Sequence, residues 1–428
     1  MMGKMKIPAL PPLRPAFGYP APSCNQLANG CPITLLPLPD ASVTCLEFWS
    51  SAGSLREAAG QTGVAHFLEH MVFKGSEGID PGGFDLEIEA VGGVSNAATG
   101  FDDVHYYVIL PPEALNLALD LLPRLVLRPS LAAEAFQLER QVVLEELAQS
   151  EDQPDEQAFQ KLLTLACGSH PYGRPILGSR ADLKALTPAS MAAFQKNNYH
   201  SRSCAMAVGG RFDPELVLNQ LQQGPIAELP QGPSEQQASI QPLQLKAGEH
   251  RLKLPRLESA RLLMAWQCPP AAEQEALSGY EIWASLLGEG RRSRLVARLR
   301  EELQLVEAID LEIQPLEQGS LAILEAVCDP AQLDLVRKEV NKVLNSLHNG
   351  ISAQEWQRAQ RLLAHGHSFG LEAPSQVTHL LGQSTLLNRL QNLDAPLQRL
   401  QEWDVDRLLG LAAAWQPEQA CVLEVRPA

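Results

Sequence analysis

The chain has 428 residues, enough for two or three domains, and carries 34 basic against 50 acidic side chains, a formal net charge of −16. This surplus of negative charge argues against a nucleic-acid partner, because binding to a phosphate backbone needs basic side chains. No apolar run is long enough to cross a membrane and the eight cysteines form no C-x-x-C pair, which predicts a cytoplasmic protein without a membrane partner.

The first predicted elements are an arm and a set of strands. Residues 1–22 contain six prolines and no continuous apolar core of a secretion signal, so an extended arm is predicted. An Asn-Gly pair at 29–30 favours a β-hairpin within 26–37, and 42–51 continues as a strand. A loop rich in Gly, Ala and Ser then leads to the most informative stretch of the chain.

That stretch reads GVAHFLEHMVFKG, from Gly63 to Gly75. If it is helical, His66 and His70 share one face and both imidazoles can reach one metal ion at roughly 2.0–2.1 Å. Glu69 lies beside them, where a carboxylate can take a proton from a metal-bound water. The spacing H-x-x-E-H is typical of one class of zinc hydrolases, so a zinc-hydrolase helix is predicted. The alternative is a chance match whose histidines are ordinary core or surface residues.

Helices and strands alternate after the motif. Apolar periodicity predicts, in order, a helix at 84–91, strands at 93–99 and 104–110, and helices at 112–127 and 131–151. The segment HPYGRPILGS is predicted to be a loop, and Thr187-Pro188 is typical of a helix start. A strand at 204–209 closes the first half.

The glutamate-rich helix at 131–151 is the natural source of a third metal ligand. A catalytic zinc ion bound by two histidines usually takes a carboxylate as its third protein ligand. The residues alone narrow the choice to Glu139, Glu145 or Glu146, because an exposed glutamate is more often merely solvated. Glu139 and Glu146 are seven residues apart and share a helix face.

The second half repeats the order of the first. Residues 222–243 are enriched in Gln, Pro, Gly and Ser, which predicts a linker. PPEALNLALDLL from Pro111 resembles DPAQLDLVRKEV from Asp329, and at this offset of about 220 residues the H-x-x-E-H motif meets 286–290, without histidine. The alternative is that any two α/β halves would look alike.

These observations predict the domain organisation and the fold class. We expect the arm at 1–22, a metal-bearing half at 23–221, the linker at 222–243 and a homologous half without metal at 244–428. The predicted fold is α+β: two α/β-sandwich halves, each a mixed or antiparallel sheet packed with helices, which enclose a chamber.

Four segments resemble the M16 metallopeptidases, a family that includes pitrilysin, insulin-degrading enzyme and the mitochondrial processing peptidases. They are AGSLREAAGQTGVAHFLEHMVFKGS, GGVSNAATGFDDVHYY, ERQVVLEEL and HPYGRPILG; with the paired halves, the resemblance covers nearly the whole chain from Cys24 onward. It implies a zinc-dependent endopeptidase that cleaves peptides or small unfolded polypeptides.

The same resemblance implies roles for the motif residues. One zinc ion per chain would be held by His66, His70 and Glu146, since Glu146 stands at the family's spacing beyond the second histidine. Glu69 would act as general base and then general acid, taking the proton of a water and delivering it to the departing amine. Glu139 matches a further family glutamate that supports the site, which leaves Glu145 as a solvated neighbour.

Substrate contacts are implied on both halves. VSNAAT resembles the family's edge strand, to which an extended peptide adds as an extra strand, and places Asn96, Ala97 and Thr99 there. The alternative is an ordinary strand followed by a turn. The family also uses an Arg and a Tyr from its C-terminal half; Arg300 aligns with the arginine, but Glu307 stands where the family has tyrosine.

The replacement of the family tyrosine by Glu307 determines which partners we expect. Some small family members are heterodimers in which a paralogue without zinc ligands supplies the Arg/Tyr pair, so we expect this chain to be the zinc-bearing subunit of such a pair. The alternatives are a self-sufficient homodimer and a non-catalytic subunit that binds peptides or assists assembly. A hydrolase of non-peptide substrates is less favoured, because the edge-strand segment suits an extended backbone. The acidic composition also admits a preference for basic peptides.

Overall fold

The computed structural model describes residues 18–232 and 240–428. Most of the predicted arm at 1–22 and the middle of the predicted linker at 222–243 therefore lie outside the described residues. Within the described part, the strands are β1 Ser23–Gln26, β2 Pro32–Pro37, β3 Thr44–Ser50, β4 Val94–Thr99, β5 Val104–Leu110, β6 Cys204–Gly210, β7 Gly248–Leu254, β8 Ala260–Cys268, β9 Ala308–Gln314, β10 Ser320–Cys328 and β11 Cys421–Pro427.

The described helices surround the strands. They are α1 Val64–Val72, α2 Gly83–Ala90, α3 Leu115–Leu127, α4 Ala133–Asp152, α5 Pro154–Cys167, α6 Arg180–Ala185, α7 Pro188–Asn198, α8 Pro214–Gln223, α9 Gln274–Leu287, α10 Leu333–Asn345, α11 Ala353–Gly370, α12 Pro374–Leu386, α13 Ala395–Gln401 and α14 Val405–Leu409, with a π-helical segment at Val296–Glu302. No helix in the described ranges is long and apolar enough to cross a membrane.

The two sheets have the same topology. The first has the order β1-β2-β6-β3-β5-β4 and the second β7-β11-β8-β10-β9. Without β1, the orders match strand for strand: β2 and β6 pair parallel, as do β7 and β11, and the other neighbours pair antiparallel. The predicted α+β fold of two sheet-and-helix halves is confirmed. β4 and β9 therefore correspond to each other, because each is the last strand at the same edge of its sheet.

The hairpin predicted at 29–30 is confirmed, and its geometry explains the sequence. β1 and β2 pair antiparallel on either side of it. Gly30 has a φ of +87°, a conformation that residues with a Cβ rarely adopt. Two helices lie outside the elements predicted above: α5 at Pro154–Cys167 and the π-helical segment at Val296–Glu302.

Each half lends one helix to the other half's sheet. α12 packs against β3 and β6 of the first sheet, and α5 packs against β8 and β11 of the second. The first contact is close because Gly382 of α12 lies against the Trp49 indole, where a Cβ would overlap the ring. β3 is consequently buried on both faces, with Leu46 and Phe48 toward the first core. This exchange joins the two sheets into one packed body.

Candidate metal centre

The predicted motif helix is α1. It begins after Gly63, which has a φ of +86°. Six of its nine residues are buried apolar side chains in the first core: Val64, Ala65, Phe67, Leu68, Met71 and Val72. Because these fill the faces toward the sheet and the neighbouring helices, His66, Glu69 and His70 share the remaining face.

α4 lies against α1 and completes a cluster of three side chains that could bind a metal ion. The Glu146 Oε2 atom lies 3.4 Å from His70 Nε2 and 3.7 Å from His66 Nε2. The three ligand atoms lie within 4.8 Å of one another, and no other such group occurs among the described residues. Tetrahedral zinc with bonds of about 2.0–2.2 Å keeps its ligand atoms about 3.3–3.6 Å apart. The two-nitrogen, one-oxygen set therefore fits a zinc ion.

The charges of the cluster suit a cation. Burial, reinforced by the neighbouring His70, lowers the pKa of His66 to about 4, so this imidazole is neutral and able to coordinate near pH 7. Burial also lowers the pKa of His70, but the carboxylates of Glu146 and Glu139 together outweigh it and the net pKa is raised. The hydrogen bond from His70 holds the pKa of Glu146 below its usual range. Glu146 is therefore an anion between two imidazoles.

Glu139 orients His70 from behind. This carboxylate is 6 % exposed, and its Oε1 atom lies 2.9 Å from His70 Nδ1. Its other oxygen lies 2.9 Å from Lys74 Nζ. A carboxylate on the second nitrogen of a metal-binding imidazole fixes the tautomer and the ring orientation. Here it turns Nε2 toward Glu146. Glu145, the third candidate from the sequence, is exposed and outside the cluster.

Glu69 stands beside the cluster without belonging to it. Its Oε2 atom accepts a hydrogen bond of 2.5 Å from the Thr99 hydroxyl at the end of β4. Burial raises the pKa of Glu69, and the hydrogen bond from Thr99 works against that rise. Thr99, predicted as a substrate contact, therefore holds the carboxylate predicted to act as base. The other carboxylate oxygen is left for proton transfer.

The outer edge of β4 carries the other two predicted substrate contacts. In the described chain β4 pairs with β5 alone, so its outer backbone edge is open to a further strand. Asn96 is exposed, and its side-chain oxygen accepts a hydrogen bond of 2.9 Å from the Ala97 N–H. A peptide that adds at this edge would compete with the Asn96 side chain for that donor.

Comparison with known proteins identifies the family. Residues 38–180 match the family model described as Insulinase (Peptidase family M16), and residues 185–363 match the Peptidase M16 inactive domain. The chain belongs to the M16 peptidase family. Most of the match to the inactive domain falls on the half that lacks the histidine motif.

M16 relatives of similar length support zinc use and a peptidase activity. An uncharacterised zinc protease of Mycobacterium leprae is 28% identical over 91% of this chain and 88% of that protein. The mitochondrial-processing peptidase subunit beta of Saccharomyces cerevisiae is 30% identical over 47% of this chain and 44% of that subunit. In fold, a protease from Helicobacter pylori superposes with a TM-score of 0.87 at 23% identity, covering 95% of this chain and 100% of that one.

The two second-half positions singled out from the sequence, Arg300 and Glu307, are not brought to the metal cluster. Arg300 lies in the π-helical segment and donates through Nε to Glu301 at 3.1 Å. Glu307 accepts a hydrogen bond of 3.0 Å from the Ser259 hydroxyl. Neither residue has a described contact with the cluster, so any role at the centre needs a second chain or a movement.

Sequence reasoning missed two features that hold the site. Lys74 was within the motif stretch, four residues after His70, a spacing that could have suggested its pairing with Glu139. Asp102, in the turn after β4, accepts hydrogen bonds from the Tyr172 hydroxyl at 2.6 Å and from the Glu317 N–H at 3.0 Å. Tyr172 belongs to the HPYGRPILG segment, so that segment ties the end of the edge strand to the second half.

Proposed function

We propose that this M16 chain is a zinc-dependent endopeptidase that cleaves peptides or small unfolded polypeptides, with one zinc ion per chain. The observation that carries the proposal is the convergence of His66, His70 and Glu146 on one point, with Glu69 beside it and outside the ligand set. A purely structural zinc site would use its ligands fully and would need no free carboxylate at its edge.

The residues divide the chemistry between them. When bound, the zinc ion would polarise the peptide carbonyl and make a bound water more acidic. Glu69 takes the proton on the oxygen that Thr99 leaves free, and then delivers it to the departing amine. Because burial raises the pKa of Glu69, the carboxylate binds a proton more readily than an exposed glutamate would.

The open edge of β4 supports a peptide substrate. A strand added there would run beside Thr99, whose hydroxyl already contacts Glu69. Main-chain hydrogen bonds would hold the peptide in an extended form with its backbone next to the base. This mode recognises the backbone, so it favours peptides and unfolded chains over folded proteins.

We further propose that the chain acts as the zinc-bearing subunit of a heterodimer whose paralogue supplies the Arg/Tyr pair. Two observations support this: Glu307 replaces the family tyrosine, and Arg300 has no described contact with the metal cluster. The yeast relative is itself named as one subunit of a peptidase. A homodimer is the alternative, and the cytoplasmic location stays a prediction.

The decisive experiment is the Glu69→Gln variant, assayed with an internally quenched peptide and analysed for bound zinc. We expect peptide cleavage to fall by roughly 10³-fold or more while one zinc per chain is retained, because the amide cannot accept the proton. Cleavage that survives the substitution would overturn the proposed role of Glu69. Wild-type protein that binds zinc but cleaves only after its paralogue is added would support the heterodimer over the homodimer.

A further inference from the structure

Glu57 is a buried carboxylate that lies outside the motif and touches the start of α1. Its side chain is 5 % exposed. One oxygen accepts the Gly63 N–H at 3.0 Å, and the other accepts the Ala65 N–H at 2.9 Å. Gly63 is the residue before α1 and Ala65 lies in its first turn; backbone N–H groups at this end of a helix have no partner inside the helix. Glu57 therefore caps this helix with both oxygens.

The local backbone explains why the cap comes from six residues upstream. The usual capping residue would be Ser, Thr, Asp or Asn at the position of Gly63. A Cβ at Gly63 would lie 2.6 Å from the Leu177 carbonyl oxygen, and the φ of +86° also disfavours a side chain. Glycine is therefore required at the cap position, and glycine has no side chain to accept a hydrogen bond.

The cap acts on the first metal ligand through the backbone. Ala65 directly precedes His66, so the hydrogen bond to the Ala65 N–H fixes the turn from which the His66 imidazole projects. No hydrogen-bond partner for His66 Nδ1 is found in the described residues, in contrast to His70, whose Nδ1 lies against Glu139. No side chain hydrogen-bonds the second nitrogen of His66, so the orientation of the ring depends on the backbone that carries it.

The charge of the cap also matters to a cation. A helix N-terminus carries roughly half a positive charge, which would oppose a metal ion bound in its first turn. An anionic Glu57 offsets that charge. Burial raises the pKa of Glu57 to about 7 despite the two backbone hydrogen bonds, so keeping the anion here has an energetic cost.

We propose that Glu57 is a positioning residue for the metal centre, which sets the first turn of α1 so that His66 meets the same point as His70 and Glu146. This inference rests on the proposed zinc site. It differs from a general stabilising role because it places the effect on metal affinity and on the geometry of the site.

The test compares Glu57→Gln with a matched variant, Asp182→Asn. Asp182 accepts hydrogen bonds from the Thr62 N–H at 3.2 Å and the Thr62 hydroxyl at 2.5 Å, so it anchors the same entry to α1 without touching the helix itself. Metal-free protein is titrated with Zn²⁺ against a chromophoric chelator, and Co²⁺-loaded protein gives the visible d–d spectrum as a probe of ligand geometry.

We expect Glu57→Gln to weaken zinc binding roughly 10-fold and to shift the Co²⁺ spectrum, since loss of an outer partner typically costs 10- to 100-fold in metal affinity. Asp182→Asn should lower the melting temperature of the metal-free protein but keep zinc affinity within about twofold. Zinc affinity and a Co²⁺ spectrum unchanged in Glu57→Gln would overturn the inference.

A third variant keeps the test decisive if Glu57→Gln does not fold. Glu57→Asp retains the charge but shortens the reach, so it should weaken zinc binding less than the amide does, and an affinity equal to wild type would overturn the inference. Failure of the wild-type protein to bind Zn²⁺ would instead refute the proposed function, and the two failures are therefore distinguishable.

Discussion

The two halves of the chain place the same helices over the same kind of sheet, yet among the described residues only the first half gathers side chains that could hold a metal ion. α1 follows β3 as α9 follows β8, and α4 follows α3 as α11 follows α10. In the first pair the facing side chains include two imidazoles and two glutamates. The second pair instead contributes the wholly buried Ile282, Leu286 and Ala359 to the core of the second half.

The polar contacts between α9 and α11 also have a different role. Arg358 of α11 donates to the Ser285 carbonyl oxygen in the last turn of α9 at 3.2 Å and to the Glu289 carbonyl oxygen just beyond the helix at 2.6 Å. These bonds tie α11 to the carboxyl end of α9. The second pair thus uses its polar groups to join two helices, whereas the first directs them to one point. The shared fold alone does not predict chemistry; the facing side chains do.

Among the substitutions that test this difference between the halves, Glu146→Gln is expected to have the largest effect. An amide oxygen is a much weaker zinc ligand than a carboxylate, and the substitution also removes the anion between two imidazoles. We expect zinc affinity to fall by roughly 100-fold or more, measured by titration of metal-free protein. Glu145→Gln, one residue away and exposed, is the control and should match wild type. Equal losses in both variants would show that α4 is placed differently against α1.

Prediction from sequence succeeded where the signal was local. The apolar residues around His66 and His70 cover the other faces of a helix, and α1 forms over them. The choice among Glu139, Glu145 and Glu146 was not local. Glu139 and Glu146 share a helix face, and which of them meets the Nε2 atoms depends on how far α4 slides along α1. The residues left three candidates, and the family resemblance selected Glu146.

The exchange of helices between the halves could not be predicted from the local sequence either, because it also depends on how distant segments pack. The pattern of α5 shows an amphipathic helix at most, and its apolar face packs on strands about 100 residues or more away, including β8 and β11. β11 likewise pairs parallel with β7 at the opposite end of its half. Only the assembled fold shows that each sheet is covered by a helix of the other half.

The contact that joins the halves gives the next largest effect. Gly382→Ala places a Cβ against the Trp49 indole, and overpacking of this kind typically costs about 1–3 kcal/mol. Gly366→Ala is the matched control, because Gly366 lies in α11 with nothing within 4 Å and alanine is the better helix former by roughly 0.5–1 kcal/mol. Urea denaturation should show opposite signs for the two variants. A neutral Gly382→Ala would mean that α12 is packed less tightly on the first sheet.

The smallest expected effect concerns Asp102, which links the turn after β4 to the second half. Burial raises its pKa from 3.8 to about 6, so between these pH values the folded state holds a proton that the unfolded state has lost. Its contribution to stability therefore falls as pH rises from about 4 to about 6. Asp102→Asn should remove this component, roughly 1 kcal/mol after screening at a half-buried group, measured by urea denaturation of metal-free protein across that range. The exposed Asp80→Asn should leave the profile of wild type unchanged, and an Asp102→Asn profile parallel to wild type would show that the carboxyl ionises as it does in water.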